Sequence, residues 1–96
     1  TPQNCISANH IFTISLNKKN RNEIIDCLKR KNIGCSVHYK PVHQLNYYKK
    51  KYKLKDKNFP ISTKWGKECI TIPFHLKISF KEQQYVVKTI KKLLNK

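Results

Sequence analysis

The feature that most constrains this chain is the stretch Gly34-Cys-Ser-Val-His-Tyr-Lys-Pro-Val-His43. It follows a helical pattern, begins as a short β-like run and is turned by Pro41, whose ring fixes the backbone and removes a donor. His38, Tyr39 and His43 therefore fall where regular structure gives way to loop, the place where binding groups are usually presented. The segments before it look like scaffold that delivers this loop, and those after it look like scaffold that braces it.

A chain of 96 residues makes one small domain, which by area scaling buries only about 60 to 65% of its unfolded surface. One layer of sheet with helices against it is what fits. No apolar run approaches the roughly 20 residues that cross a bilayer, so no membrane partner is expected. The chain opens Thr-Pro-Gln without Met or a leader-like segment; it is expected to be cut from a longer polypeptide. Cys5, Cys27, Cys35 and Cys69 are spaced 22, 8 and 34 apart, which matches neither zinc knuckles nor a dense secreted framework. Reduced, mostly buried thiols in a cytoplasmic protein are expected.

The charge is lopsided, with 21 Lys plus Arg against 5 Asp plus Glu and a net charge of +16. Such a field attracts phosphate-bearing ligands, nucleic acid or anionic surfaces. Only Arg21 and Arg30 are arginine, however, and nucleic-acid readers lean on the bidentate guanidinium. Nucleic acid is an unlikely partner on that ground, although Lys49 to Lys57 with Tyr47, Tyr48 and Tyr52 offers charge and stacking surfaces together. A third option is a plain interaction domain whose apolar face docks on a larger partner.

The coarse organisation follows from periodicity. Residues 1–8 carry none and are expected to form a linker or incoming arm; residues 9–96 form the domain. Phe12, Ile14 and Leu16 alternate with Ile11, Thr13 and Ser15, the period of a first strand. Asn20 and Glu23 suggest a capping box ahead of a helix to about Lys31, with Ile24, Ile25 and Leu28 inward. Gly34 is expected to end that connection and open a second strand. Gln44 to Tyr52 reads as a short helix, and Pro60 opens another through about Cys69, anchored by Trp65. Ile70 to Pro73 makes a third strand. Ser79 and Glu82 form a second box before a terminal helix with the stripe Val86, Val87, Ile90, Leu93 and Leu94. The expected fold class is α+β, a small three-stranded antiparallel or mixed sheet covered by helices.

The chemistry available on residues alone is that of a ligand-facing loop. Imidazole and phenol at His38, Tyr39 and His43 supply hydrogen bonds to an oxygen-rich ligand such as a phosphate or sugar, unless the histidines merely satisfy loop carbonyls. A metal site from Cys35, His38 and His43 lacks a fourth ligand, and a Cys-His nucleophile pair lacks an orienting group. No metal and no catalytic residue is assigned. With only Gly34 and Gly66 there is no glycine-rich phosphate loop, and the acids are too few for a carboxylate pair.

The order of these features resembles the C-terminal small domain of the DegT/StrS family, pyridoxal-phosphate-dependent aminotransferases acting on nucleotide-linked keto-sugars. The likeness runs from about His10 to Leu94. Arg21 to Leu28 with Lys31-Asn-Ile-Gly34 is similar to the family's helix and glycine turn, and His38-Tyr39-Lys40-Pro41-Val42-His43 to its His-Tyr-x-Pro-Leu-His signature. Tyr47-Tyr48 resembles a paired-aromatic helix, Phe59-Pro60 through Ile72-Pro73-Phe74 a Pro-led helix and strand, and Ser79 to Leu94 the last helix. Thr63 departs from the pattern, standing where relatives often carry an acid, and His75-Leu76 replaces an aromatic-Pro pair.

The resemblance implies the small domain of the type I aminotransferase fold, docked on a large domain of the same chain in a homodimer. It implies that pyridoxal phosphate and its lysine belong to that large domain, so that this chain alone neither binds the cofactor nor catalyses transamination. His38 and Tyr39 are then expected to face a nucleotide-sugar or glutamate, with His43 either beside them or structural. A dehydratase of the same family is the alternative activity.

Overall fold

In the computed structural model, which describes residues 1–17 and 20–95, the elements run β1 (Phe12–Ser15), α1 (Arg21–Arg30), α2 (Asn46–Tyr52), α3 (Pro60–Glu68), β2 (Cys69–Ile72) and α4 (Phe80–Leu94), with single 3-10 turns at Val42–Gln44 and Asp56–Asn58. Residues 1–11 form no helix or strand, and their side chains are exposed. Among the described residues no helix is long and apolar enough to cross a membrane. The class is α+β, as expected, but the sheet is smaller than the sequence suggested.

β1 and β2 pair antiparallel with Phe12 opposite Ile72 and Ser15 opposite Cys69. The anticipated strand after Gly34 is reduced to one bridge, in which Ser36 and Thr71 exchange backbone hydrogen bonds (Thr71 N–H to Ser36 O 2.7 Å, Ser36 N–H to Thr71 O 3.2 Å). β2 has only four residues, and Pro41 turns the chain away soon after this contact. A ladder longer than one residue has no room to form there.

The core is a single cluster of Leu16, Ile24, Leu28, Ile33, Ile70, Val86 and Ile90, flanked by the partly buried Ile14, Ile25, Ile72 and Leu93. Full burial of each such side chain contributes about 1.5 to 3 kcal/mol before chain entropy is charged against it. The anticipated stripes of α1 and α4 are the ones buried, although Val87 and Leu94 at the margin of the α4 stripe are exposed. Phe12 also departs from its strand face. It lies exposed at the end of the ladder against Phe74, with ring centroids 6.1 Å apart.

Helix ends account for much of the local geometry. Ser79 and Glu82 form a reciprocal capping box at the start of α4. At α1 the cap is simpler: the Asn20 side chain accepts from the Asn22 N–H at 3.0 Å, and Glu23 reaches the Asn20 amide rather than its backbone. The other end of α1 is closed by Asn32, at φ 60°. Its N–H bonds Lys29 O and the next N–H, of Ile33, bonds Leu28 O at 2.9 Å, a Schellman arrangement that brings two core residues together. Gly34, expected to end the connection before a second strand, has no positive φ. Asparagine tolerates the left-handed region well enough to take its place.

Candidate functional site

The loop from His38 to His43 is held at three points, by β2, by α3, and by the turn at Asp56–Asn58 together with α3. At its first point the Nδ1 of His38 lies 2.8 Å from Oγ1 of Thr71 on β2. Ser36, two residues before His38, bridges Thr71, and the bridge brings His38 within reach of the same threonine. Among the described residues His38 makes no other side-chain hydrogen bond, which leaves Nε2 available. Tyr39 packs edge-on against the His38 ring with centroids 4.6 Å apart and is 64% exposed. The peptide bond between them is cis.

The second point is Pro41 against α3. A Cβ on Gly66 would stand 2.5 Å from the Pro41 Cδ and 2.6 Å from its Cγ, so only a glycine lets the ring seat this closely. The end of α3 is held in turn by Arg21 of α1, whose Nη1 donates to Gly66 O and Cys69 O, both at 3.0 Å. A guanidinium at a helix C-terminus satisfies carbonyls that have no intrahelical partner and sits favourably in the field of the helix.

The third point is His43, 5% exposed and stacked on Phe59 with centroids 4.8 Å apart. Its Nε2 lies 3.0 Å from Asp56 Oδ1 and 2.9 Å from Thr63 Oγ1, while the Thr63 hydroxyl donates to Asp56 O at 3.2 Å. With the threonine hydrogen committed to that carbonyl, both neighbours of Nε2 are acceptors, so Nε2 carries the proton. The Gln44 amide donates to the same Asp56 oxygen at 3.0 Å. That hydrogen bond, followed by those of His43 and the nearby Lys49 charge, holds the Asp56 carboxyl below its usual range.

Of the three residues singled out from the sequence, then, His38 and Tyr39 come together on the open side of the loop and His43 turns inward. Cys35 does not join them. Its thiol points to the Ile25 carbonyl at 3.9 Å, and burial pushes its pKa up, away from a nucleophilic thiolate. Among the described residues no three His, Cys, Asp or Glu side chains gather as a metal site would require. All four cysteines are free, with Cys69 buried and Cys5 exposed.

Sequence reasoning missed Thr71, Gly66, Arg21 and Asp56 as parts of this loop. Signals existed: a single hydroxyl inside Ile70-Thr71-Ile72, a glycine inside a helical run, one of two arginines, and the lone acid in a lysine-rich segment. Trp65, expected as an anchor, is 39% exposed. Tyr39, Val42, Tyr47, Tyr52 and Ile61 are more exposed still. In the lysine-rich segment Lys51 covers its neighbours, its Nζ 3.1 Å from the Tyr47 hydroxyl and 5.4 Å from the Tyr47 and Tyr52 ring centres.

The family model for the DegT/DnrJ/EryC1/StrS aminotransferases matches residues 1–91. An uncharacterised protein of Methanocaldococcus jannaschii is 33% identical over 91 residues, covering 90% of this chain and 23% of that protein. A UDP-4-amino-4,6-dideoxy-N-acetyl-beta-L-altrosamine transaminase of Campylobacter jejuni is 29% identical over 93 residues, covering 94% of this chain and 24% of the enzyme. Among solved structures, a protein of Streptococcus pneumoniae assigned as a sugar aminotransferase, known in apo, PMP and PLP forms, superposes with a TM-score of 0.81 at 30% identity. That superposition covers 88% of this chain and 22% of the other.

The chain thus spans less than a quarter of the length of these relatives. Cavities of about 380 and 310 Å³ lie between Leu16, Arg21 and Glu68 and between Phe12, Phe74 and Val86, lined by neither the half-buried His38 nor the exposed Tyr39. The signature loop, its order among the helices and strands, the family match and the superposition agree: the chain belongs to the DegT/DnrJ/EryC1/StrS aminotransferase family.

Proposed function

We propose that this chain is the C-terminal small domain of a pyridoxal-phosphate-dependent aminotransferase that moves an amino group from glutamate to a nucleotide-linked keto-sugar. The observation that carries the reading is the loop from His38 to His43, present in the family's order and anchored to three elements while one imidazole nitrogen and one phenol remain open. In this reading His38 and Tyr39 line the rim of the substrate pocket as the domain closes over it, and His43 is the internal clamp that keeps the rim in shape. The cofactor and its lysine belong to a large domain of the same polypeptide, which acts as a cytoplasmic homodimer. The exposed aromatic side chains at Tyr39, Tyr48 and Trp65 suit a surface that docks on such a domain.

The experiment uses the full polypeptide that carries this chain. Bound pyridoxal phosphate gives a visible absorption band, and glutamate is expected to bleach it. The His38→Ala variant is expected to raise the sugar-substrate KM or slow turnover. A bound cofactor that glutamate leaves unchanged turns the assignment to the family's dehydratases, and a polypeptide that binds no cofactor overturns it. Unchanged kinetics in His38→Ala removes His38 from the pocket.

A further inference from the structure

We propose that Thr71 is a positioning residue that fixes His38 as the tautomer protonated on Nε2, so that the ring offers a ligand a hydrogen-bond donor and not a base. The argument starts from where the Thr71 groups go. Its backbone N–H and C=O are both consumed by Ser36, and residue 71 is 9% exposed. Among the described residues its hydroxyl has one partner, the His38 Nδ1 at 2.8 Å.

A hydroxyl carries one hydrogen and two lone pairs, and a neutral imidazole carries one N–H and one bare nitrogen. If Nδ1 held the proton, it would donate to the threonine oxygen, and the hydroxyl hydrogen would then point into the protein without an acceptor. Leaving a buried donor unpaired is the more expensive arrangement. The hydroxyl therefore donates to Nδ1, Nδ1 is the bare nitrogen, and the proton sits on Nε2, on the open side of the ring. An Nε2–H at that place matches an oxygen acceptor: a phosphate, a carboxylate or a sugar hydroxyl or carbonyl.

The same hydrogen bond fixes the plane of the imidazole. His38 lies diagonally across the bridge from Thr71, and the Tyr39 ring closes against one edge of it. A ring held at one nitrogen and along one edge presents the other nitrogen in one direction. Thr71 sits on β2, paired through its neighbours to β1, so the direction is set by the sheet. The ligand half of the proposal rests on the assignment of His38 to the substrate pocket; the tautomer half does not.

The test uses the full polypeptide labelled with 15N-histidine, the His38 signals being assigned by comparison with His38→Gln. The neutral ring is expected to show a bare, hydrogen-bonded Nδ1 and a protonated Nε2. Thr71→Ser should keep that signature and Thr71→Val, which preserves shape and strand preference, should lose the hydrogen-bonded signal at Nδ1. In kinetics Thr71→Val is expected to raise the substrate KM about fivefold, the equivalent of one neutral hydrogen bond, with kcat changed less and Thr71→Ser restoring it. A proton on Nδ1 in the unaltered protein, or an Nδ1 signal that Thr71→Val leaves in place, overturns the positioning role while the assignment of the pocket stands. The expected signature with a KM that does not move overturns the donor role and, with it, the placement of His38 in the pocket.

Discussion

The two histidines of the loop make an instructive pair. His43 is 5% exposed, stacked on Phe59, and spends its protonated nitrogen on Asp56 and Thr63. His38 is half-buried, touches one hydroxyl, and keeps the other nitrogen clear. They are five residues apart in the same sequence, and nothing in residue type separates them. What separates them is that Pro41 turns the chain between them, so one faces the turn at Asp56–Asn58 and the start of α3 while the other faces outward beside Tyr39. An inward clamp and an outward-facing ring are built from the same side chain by opposite choices of neighbour.

The sharpest way to break this comparison is to remove each ring in turn. His43→Ala deletes a stacked aromatic and leaves Asp56 and Thr63 short of a donor, and is expected to cost about 2 to 4 kcal/mol of stability in urea titration. His38→Ala should cost less than about 1 kcal/mol by the same measurement, its effect appearing in substrate affinity instead. Equal losses from the two would abolish the distinction. Next in size is Gly66→Ala. The added methyl meets the Pro41 ring and not a flexible tip, so it is expected to cost about 1 to 3 kcal/mol. It should disturb both histidines together, seen as shifts of both sets of imidazole resonances. A change confined to one of them would mean that the two points of attachment are independent.

The smallest effect is one of pH. The Asp56 carboxyl is held below its ordinary value of 3.8, first by Gln44 and then by His43. A carboxyl whose folded pKa is lowered adds stability that is complete above the ordinary value and is lost as pH falls through the lowered one. Asp56 is exposed, so solvent screens the contribution. Asp56→Asn should therefore lower stability slightly at neutral pH and flatten the acid limb below pH 3.8, the difference from the unaltered protein vanishing in acid. A large loss at neutral pH would instead make Asp56 the principal member of the clamp.

Most of the scaffold was legible because it obeys local rules. The Ser79 and Glu82 box, the stripe through Val86 and Ile90, Pro60 at the start of α3 and the alternation ending at Leu16 are each decided within one turn or one strand. What was lost depended on distant partners. Ser36 has the residues of a strand around it, yet the four residues of β2 and the turn at Pro41 allow only a bridge. Gly34 was the residue expected to turn the chain after α1, while Asn32, two residues earlier, takes the left-handed position. Trp65 is large and apolar, but its size does not say which surface covers it.

The site divided along the same line. His38 and Tyr39 were legible as open groups because loop position and side-chain chemistry are written locally. The inward turn of His43 was not decided by sequence, since its partners at Asp56 and Thr63 come from 13 and 20 residues further on. The Thr63 hydroxyl is one of the two acceptors.

The contact between Pro41 and Gly66 carries an inheritance rule. Because the pyrrolidine ring occupies the space a side chain on residue 66 would fill, the two positions cannot drift separately. A lineage that acquires alanine or serine at 66 should shed the proline at 41, or shift the loop that carries it. The signature loop and a glycine 25 positions downstream of its proline are thus expected to covary as one unit, although nothing in the loop's own residues announces the contact between them.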